Sequence, residues 1–425
     1  MTSQLAGAQK LLDSGDIPGA VRALRPIAET TPLRDLAQVV RQLATAVGFE
    51  DLAGAAKTLT RKPDDPQALF DFGYGCIDRG ISFLAVPALR QALRRVPDSR
   101  SLLSELVSAL EGEHRHEEAA ALLAERDAVL HAWPERYLLV YNSLLAGDLA
   151  RAHDSVMRLP PPDDHSWEWA YGRISGMLHR AELAAGASPL DRRDLRGWHY
   201  TLTGGHLAVL SPYGFDAGMN GRYAYVQDSV EQCRRGLGRL ALALRGAGRE
   251  PRTVSLLPGR AQEILGVAAA RVLALPLEPY DPQRTDTVVV AYDLNTVDRD
   301  LAESLRYRPD GQILYEHATC WTGPPAVGAD MSGLLCQSVV EPWGPRLRAV
   351  DNGVEQLPPD PRPEADIAAE IAEAAGEPDP GDGQTPDEPD EMFGAFVAAT
   401  ASAWATGPRS HLGSPGPVPS SRFDY

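Results

Sequence analysis

Three stretches in the first 162 residues repeat one design, and it commits that part of the chain to paired helices. In "AGAQKLLDSGDIPGAVRALRPIAETTP", Ala8 and Leu11 fall on one helical face. Gly15-Asp16 then make a turn, and Ala20, Leu24 and Ile27 share a second face before Pro32. "ALFDFGYGCIDRGISFLAVPALRQALRRVP" repeats this with Gly73, Gly80, Ala85, Leu89, Ala92 and Pro97, and "YLLVYNSLLAGDLARAHDSVMRLP" with Gly147-Asp148, Ala152 and Pro160. Small residues let two helices approach closely, larger apolar residues fill the interface with the next unit, and proline ends each unit because it cannot continue a helix.

The pattern resembles the tetratricopeptide repeat, with small residues at the eighth, twentieth and twenty-seventh places and a proline near the thirty-second. Gly73, Ala85, Ala92 and Pro97 match in full; Ala8, Ala20 and Pro32 match well; the units around Gly48 to Pro63 and Leu106 to Pro134 match through Ala53 and Ala119. Four or five repeats are counted, and 165–187 is expected to be a capping helix, giving a helical repeat domain over 1–190. The resemblance implies an α-solenoid whose concave surface holds a protein or peptide, with Tyr74, Arg79 and Asn142 as candidate partner-binding residues. The run "EHRHEE" with His114 and His116 reads as a solvated turn between helices, not as a metal site.

From Trp198 the period changes. "GWHYTLTGGHLAVLS" alternates as two strands turning at Gly204-Gly205 would. A glycine-rich loop, 211–228, precedes a helix in "VEQCRRGLGRLALALRGAG". Then come a strand "RTVSLLPG", a helix "AQEILGVAAARVLAL", a short strand "PLEPY", the apolar run "TVVVAYDL", a helix from about Asp298 and a strand "QILYEHATCW". Strands alternating with helices predict a doubly wound, mostly parallel sheet over 191–346. The chain is thus a multidomain α plus α/β protein.

The order of these pieces resembles the type I phosphoribosyltransferase fold. That resemblance implies a pyrophosphate loop at Pro258-Gly259-Arg260 and a 5-phosphate loop after Asp293. Free N–H groups at a helix start, with an arginine alongside, suit an anion. The second loop departs from the family: only Asp293 of an acidic pair is present, and "LNTVDRD" keeps Thr296 but has no glycine and adds Asp298 and Asp300. Without glycine, successive N–H groups do not turn freely toward a phosphate. The two aspartates suit the first turn of the following helix. The expectation is therefore a phosphoribosyltransferase-like shell without the phosphoribosyl grip.

Candidate ligand residues are Gly259, Arg260, Asp293, Thr296 and His317, together with Tyr213, Asp216, Asn220 and Arg222 of the glycine-rich loop, a composition suited to closing over a ligand. His317 admits two further readings, a Cys/His pair with Cys320 and an acid/base pair with Asp293.

Composition excludes several classes. Lys10, Lys57 and Lys62 are the only lysines, so no Walker A, Schiff-base or general-base lysine exists beyond residue 62. A net charge of −17 argues against nucleic acid and anionic membranes as partners. Cys76, Cys233, Cys320 and Cys336 lack metal-ligand spacing, so neither metal nor cofactor is expected. The amino terminus lacks a signal pattern and no window of about 18 apolar residues occurs, so a cytoplasmic chain is expected. Residues 347–391 collapse into proline, glycine and acid and are expected to be a disordered linker, with "ADIAAEIAEAA" a transient helix. An amphipathic helix and a flexible terminus are expected over 392–425.

Two functions remain open at this point. One is an interaction scaffold whose repeats bind a partner and whose α/β domain binds a ligand or protein without turnover. The other is an active transferase or hydrolase on a nucleotide or sugar phosphate.

Overall fold

The computed structural model describes residues 3–350, 353–406 and 411–420. The chain divides into two compact units, Met1–Asp163 and Asp164–Tyr425.

The first unit is helical. Its helices are α1 (Ser3–Asp13), α2 (Ile17–Leu24), α3 (Leu33–Ala46), α4 (Glu50–Arg61), α5 (Pro66–Ile77), α6 (Ser82–Arg95), α7 (Arg100–Gly112), α8 (His116–Ala124), α9 (Tyr137–Leu145) and α10 (Leu149–Val156). Successive helices pack in pairs, and each pair turns through one left-handed residue: Gly15, Gly48, Gly80, His114 and Gly147, spaced 32 to 34 residues apart. Four of the five are glycine because that conformation penalises a Cβ. The small residues do what the spacing predicts. Ala20 and Ala85 are fully buried, and a Cβ on Gly73 would come within 2.6 Å of Leu89 Cγ across the α5–α6 contact.

The second unit opens with α11 (Glu168–Ala184) and α12 (Leu195–Thr203). α11, expected to cap the repeats, instead lies in this unit. Of the two strands expected in "GWHYTLTGGHLAVLS", the second is present as a short strand after the turn and the first is corrected to helix: Leu195, Trp198 and Leu202 stand three and four apart, a helical spacing, with Asp194 capping the start through Gly197 N (2.8 Å) and left-handed Gly204 ending it. Next come β1 (His206–Leu207), β2 (Arg222–Gln227), α13 (Val230–Gly246), β3 (Thr253–Leu256), α14 (Arg260–Leu273), β4 (Leu277–Pro279), β5 (Thr287–Ala291), α15 (Arg299–Arg306), β6 (Gln312–Cys320) and β7 (Met331–Val340). A hairpin, β8 (Arg346–Val350) and β9 (Gly353–Leu357), and two helices, α16 (Glu364–Glu373) and α17 (Asp390–Thr400), complete it.

The main sheet is parallel throughout, in the order β4-β3-β5-β6-β7, with β1 and β2 both on the outer edge of β7. Alternation along β5 explains its layers. Val288 and Val290 join the core under α13, α14, α16 and α17, whereas Val289 and Ala291 join the core under α15. The winding reverses between β3 and β5, since β3 leads to β4 on one side and β5 to β6 on the other.

The expected disorder of 347–391 is corrected. Ile367, Ala368 and Ile371 of α16 are buried in the main core, and Phe393, Phe396, Val397 and Trp404 anchor the segment beyond it. The amphipathic helix expected after residue 392 thus caps its own domain. Of the flexible terminus expected at the end of the chain, 407–410 and 421–425 lie outside the described residues.

Two predictions follow from this packing. A Cβ at Gly333 would overlap the His317 carbonyl oxygen and stand 2.9 Å from the Tyr315 hydroxyl. Gly333→Ala should lower stability by about 1–3 kcal/mol through overpacking, read as a shifted urea midpoint. Gly172→Ala, in open space on α11, should be neutral or stabilising. The second concerns His206, buried and stacked on Trp404 at 4.8 Å with Nε2 2.9 Å from the Thr400 hydroxyl. Burial, then the charge of Arg196 and the neighbouring His199, push its pKa down to about 3. Below the ordinary histidine value of about 6.5, the unfolded chain takes up a proton that the native ring refuses. Stability therefore falls on acidification, by about 2 kcal/mol from this group between neutrality and pH 5. His206→Phe should flatten that slope; an unchanged slope would assign the acid sensitivity elsewhere.

Candidate functional site

In a doubly wound sheet the crevice at the carboxyl ends of the strands, where winding reverses, is where ligands sit. Here that crevice lies between the ends of β3 and β5, and its own side chains occupy it. Gln262, buried on α14, spans it: its Nε2 donates to Thr296 Oγ1 (3.0 Å) and its Oε1 accepts from Tyr292 N (3.2 Å). Thr296 in turn donates to the Asp293 carbonyl at 2.7 Å. Gly259 adopts φ +109° before α14, as a tight loop requires. Arg260 pairs with Glu364 and donates to the carbonyls of Asp360 (2.8 Å) and Arg362 (3.0 Å). The expected anion ligand is thus spent on the start of α16.

Carboxyls surround the same edge. Asp293 accepts from Asn295 N at 2.8 Å, and burial raises its pKa. Glu316 accepts from Leu294 N at 2.8 Å and from Thr319 Oγ1; burial pushes its pKa up to about 8. Glu341 is raised by burial and then by Asp293. Carboxyls gathered at a strand-end crevice, their pKa values raised by burial, are the reverse of a phosphate cradle.

His317 does not pair with Asp293 or Cys320. It points to the α13 side of the sheet, where its Nε2 lies 2.9 Å from Asp228 Oδ2 and 3.7 Å from Cys233 Sγ. Asp228 Oδ2 also accepts from Tyr292 OH at 2.9 Å and from Cys233 Sγ at 3.4 Å, while Oδ1 accepts from Ser229 N at 2.8 Å. Tyr315 OH stands 3.3 Å from His317 Nδ1. The fold assembles this centre from four places: the end of β2, the first turn of α13, β6 and the residue after β5. All five side chains are buried. The arrangement is not a nucleophilic relay, because Asp228 and Cys233 share one ring nitrogen, whereas a relay sets them on opposite nitrogens. Burial, then Asp228, hold the Cys233 thiol well above its ordinary pKa. Cys320 instead contacts Thr322 Oγ1 and the Gln337 carbonyl, each at 3.4 Å.

The glycine-rich loop is covered by the acidic segment. Tyr213 OH donates to Asp379 at 2.7 Å, and Gly214 N to Asp382 at 3.0 Å. Asp216 pairs with Arg193 at 3.1 Å, Asn220 is buried, and Arg222 is buried under the carbonyls of Pro415 (2.8 Å) and Pro419 (3.3 Å). A cavity of about 350 Å³ remains between this loop, α13 and the segment, lined by Tyr223, Gln232, Arg235 and Asp379. Glu388 is the anchor: it pairs with Arg196 and, at 3.1 Å, with Arg239, which is 1% exposed and also holds Asp390 at 3.0 Å.

In the helical unit, Tyr74 is exposed and stacks on Phe70 at 6.2 Å. Arg79 pairs with Asp51 at 2.6 Å over the Phe49 ring. Asn142 is fully buried, donating to Glu111 (2.6 Å) and the Leu138 carbonyl (2.9 Å), so it lines no groove. No local sequence signal marks the Glu388 anchor, 149 positions from Arg239 and 192 from Arg196, or the convergence of His317 on Asp228 and Cys233, which lie 89 and 84 positions before it. Comparison of the chain with known protein families, curated proteins and solved structures gives no match.

Removing one partner of a buried ion cluster leaves uncompensated charge. Glu388→Ala should therefore cost about 3–5 kcal/mol in urea unfolding, whereas exposed Glu373→Ala should change stability by less than about 0.5 kcal/mol.

Proposed function

We propose that this chain is an interaction protein: a tetratricopeptide-like array of helix pairs takes a protein or peptide partner, and an α/β domain of phosphoribosyltransferase-like kind serves as a binding module without turnover. The observation that carries the reading is the filled crevice between β3 and β5. Gln262 bridges it, Arg260 is neutralised by Glu364, and Asp293, Glu316 and Glu341 bring acid where a phosphoribosyl group needs cation and free N–H groups. For the helical unit the support is the recurrence of paired helices every 32 to 34 residues, with exposed Tyr74 on α5, stacked on the half-buried Phe70, as a contact point.

The alternative, a transferase or hydrolase on a nucleotide or sugar phosphate, draws on the same raised carboxyls, because perturbed acids gather at reactive sites. Thermal denaturation of the full chain separates the two. Phosphoribosyl pyrophosphate and nucleotides, with and without Mg²⁺, should leave the midpoint unchanged. A strong stabilisation that Asp293→Asn abolishes would overturn the non-catalytic reading. On the helical side, Tyr74→Ala should weaken retention of a protein that co-purifies with the full chain and leave the melting temperature unchanged.

A further inference from the structure

The buried centre beneath α13 has the make-up of a metal site that the sequence alone does not display. We propose that Asp228, Cys233 and His317 bind one zinc-class divalent ion, through Asp228 Oδ2, Cys233 Sγ and His317 Nε2.

Geometry is the first argument. Bonds of about 2.0 Å to oxygen and nitrogen and about 2.3 Å to sulfur set tetrahedral edges of about 3.3 Å for O···N and about 3.5 Å for the edges to sulfur. The three edges here are 2.9, 3.4 and 3.7 Å. An ion therefore enters with shifts of a few tenths of an ångström, within side-chain relaxation. All three donor atoms lie within 4.8 Å of one another.

The second argument is the outer shell. A metal-bound imidazole carries its other ring nitrogen against an oxygen, which fixes the ring and the tautomer. Tyr315 OH fills that place at 3.3 Å from Nδ1. The non-ligating Asp228 Oδ1 is held by Ser229 N at 2.8 Å, and Tyr292 OH bonds the ligating oxygen at 2.9 Å. The backbone makes room for this shell: a Cβ on Gly236 of α13 would overlap Tyr315 OH, and one on Gly333 of β7 would overlap the His317 carbonyl.

Charge is the third. A carboxylate, a thiolate and a neutral imidazole balance a divalent cation, so the loaded centre is neutral, as a site this deeply buried requires. Thiolate with imidazole selects zinc-class ions over magnesium or calcium. The flank of the centre is not solidly packed. A cavity of about 340 Å³ is lined by Val230 and Trp343, and Trp343 packs edge-on against Tyr292 at 5.2 Å.

The test uses the full chain produced in zinc-supplemented medium. Elemental analysis should find one zinc per chain. Cys233→Ser and His317→Gln should lose it, and Cys320→Ser should keep it. Refolding the natural chain in Co²⁺ should give a thiolate-to-cobalt charge-transfer band, retained in Cys320→Ser. This measurement stands even if the ligand variants fail to fold. Sub-stoichiometric zinc with no cobalt band would overturn the proposal and leave a hydrogen-bonded network. Equal zinc in the natural chain and in Cys233→Ser would overturn it too.

Discussion

Arg239 is buried to 1% exposure on a helix in the middle of the α/β unit, and an arginine placed there must be matched by carboxylate and carbonyl oxygens. It is matched by Glu388, Asp390 and the Ala208 carbonyl, and Arg196 draws on Glu388 as well. This one requirement ties the end of the chain to its middle. The acidic segment crosses the glycine-rich loop because its anchor must reach those guanidinium groups. On the way Asp379 and Asp382 meet Tyr213 and Gly214. The core on that face is then sealed by α17, whose Phe393 ring lies within 5.2 Å of the Arg239 guanidinium carbon and 5.0 Å of that of Arg196. Cation, carboxylate and aromatic ring form one unit, so the last acidic stretch is a structural element of the domain.

That closure changes what the sheet's ligand edge can do. With α16 docked on α14, Glu364 reaches Arg260, and the cation nearest the β3 loop is neutralised in place. Gln262 then bonds across to the β5 loop. What a doubly wound domain usually leaves open for a phosphate is here a packed polar seam, rimmed by Asp293, Glu316 and Glu341. The same α16 that closes the crevice also walls the cavity lined by Trp343 and Ile367.

Sequence pattern reads well where one periodicity governs one element. Ala20, Gly73 and Ala85 announce close helix pairs, and the apolar run Val288 to Ala291 announces a strand buried on both faces; both readings describe the observed local packing. It reads poorly where two periods coincide. Leu195, Trp198 and Leu202 sit among alternating small residues, and the cap from Asp194 decides for helix. Composition misled for 347–391 because averaging hides position: Ile367, Ala368 and Ile371 form a narrow apolar stripe inside an acidic stretch, and Glu388 and Asp390 are placed opposite buried arginines. The pattern does not announce β7, although it is the strand on which both β1 and β2 align. Of the ligand candidates, His317 lies in a polar centre, but its partners are not those that strand adjacency suggested.

The partner of His317 follows from topology. β1 and β2 share one edge of β7, so the chain must leave β2 at the carboxyl side of the sheet and cross into α13. Asp228 is the residue at that crossing, and Cys233 falls one helical turn later on the buried face. β6 runs beneath α13, and alternation along it sends Tyr315 and His317 to the same face and Glu316 to the other. Carboxylate, thiol and imidazole therefore converge because of the parallel order, not because of any local motif. Gly236 and Gly333 mark the cost of that convergence, since each gives up a side chain where Tyr315 and His317 need the space. A purely apolar core would pack the same volume with fewer constraints, so a polar cluster this fully bonded beneath a helix needs a chemical reason, and a bound cation supplies one.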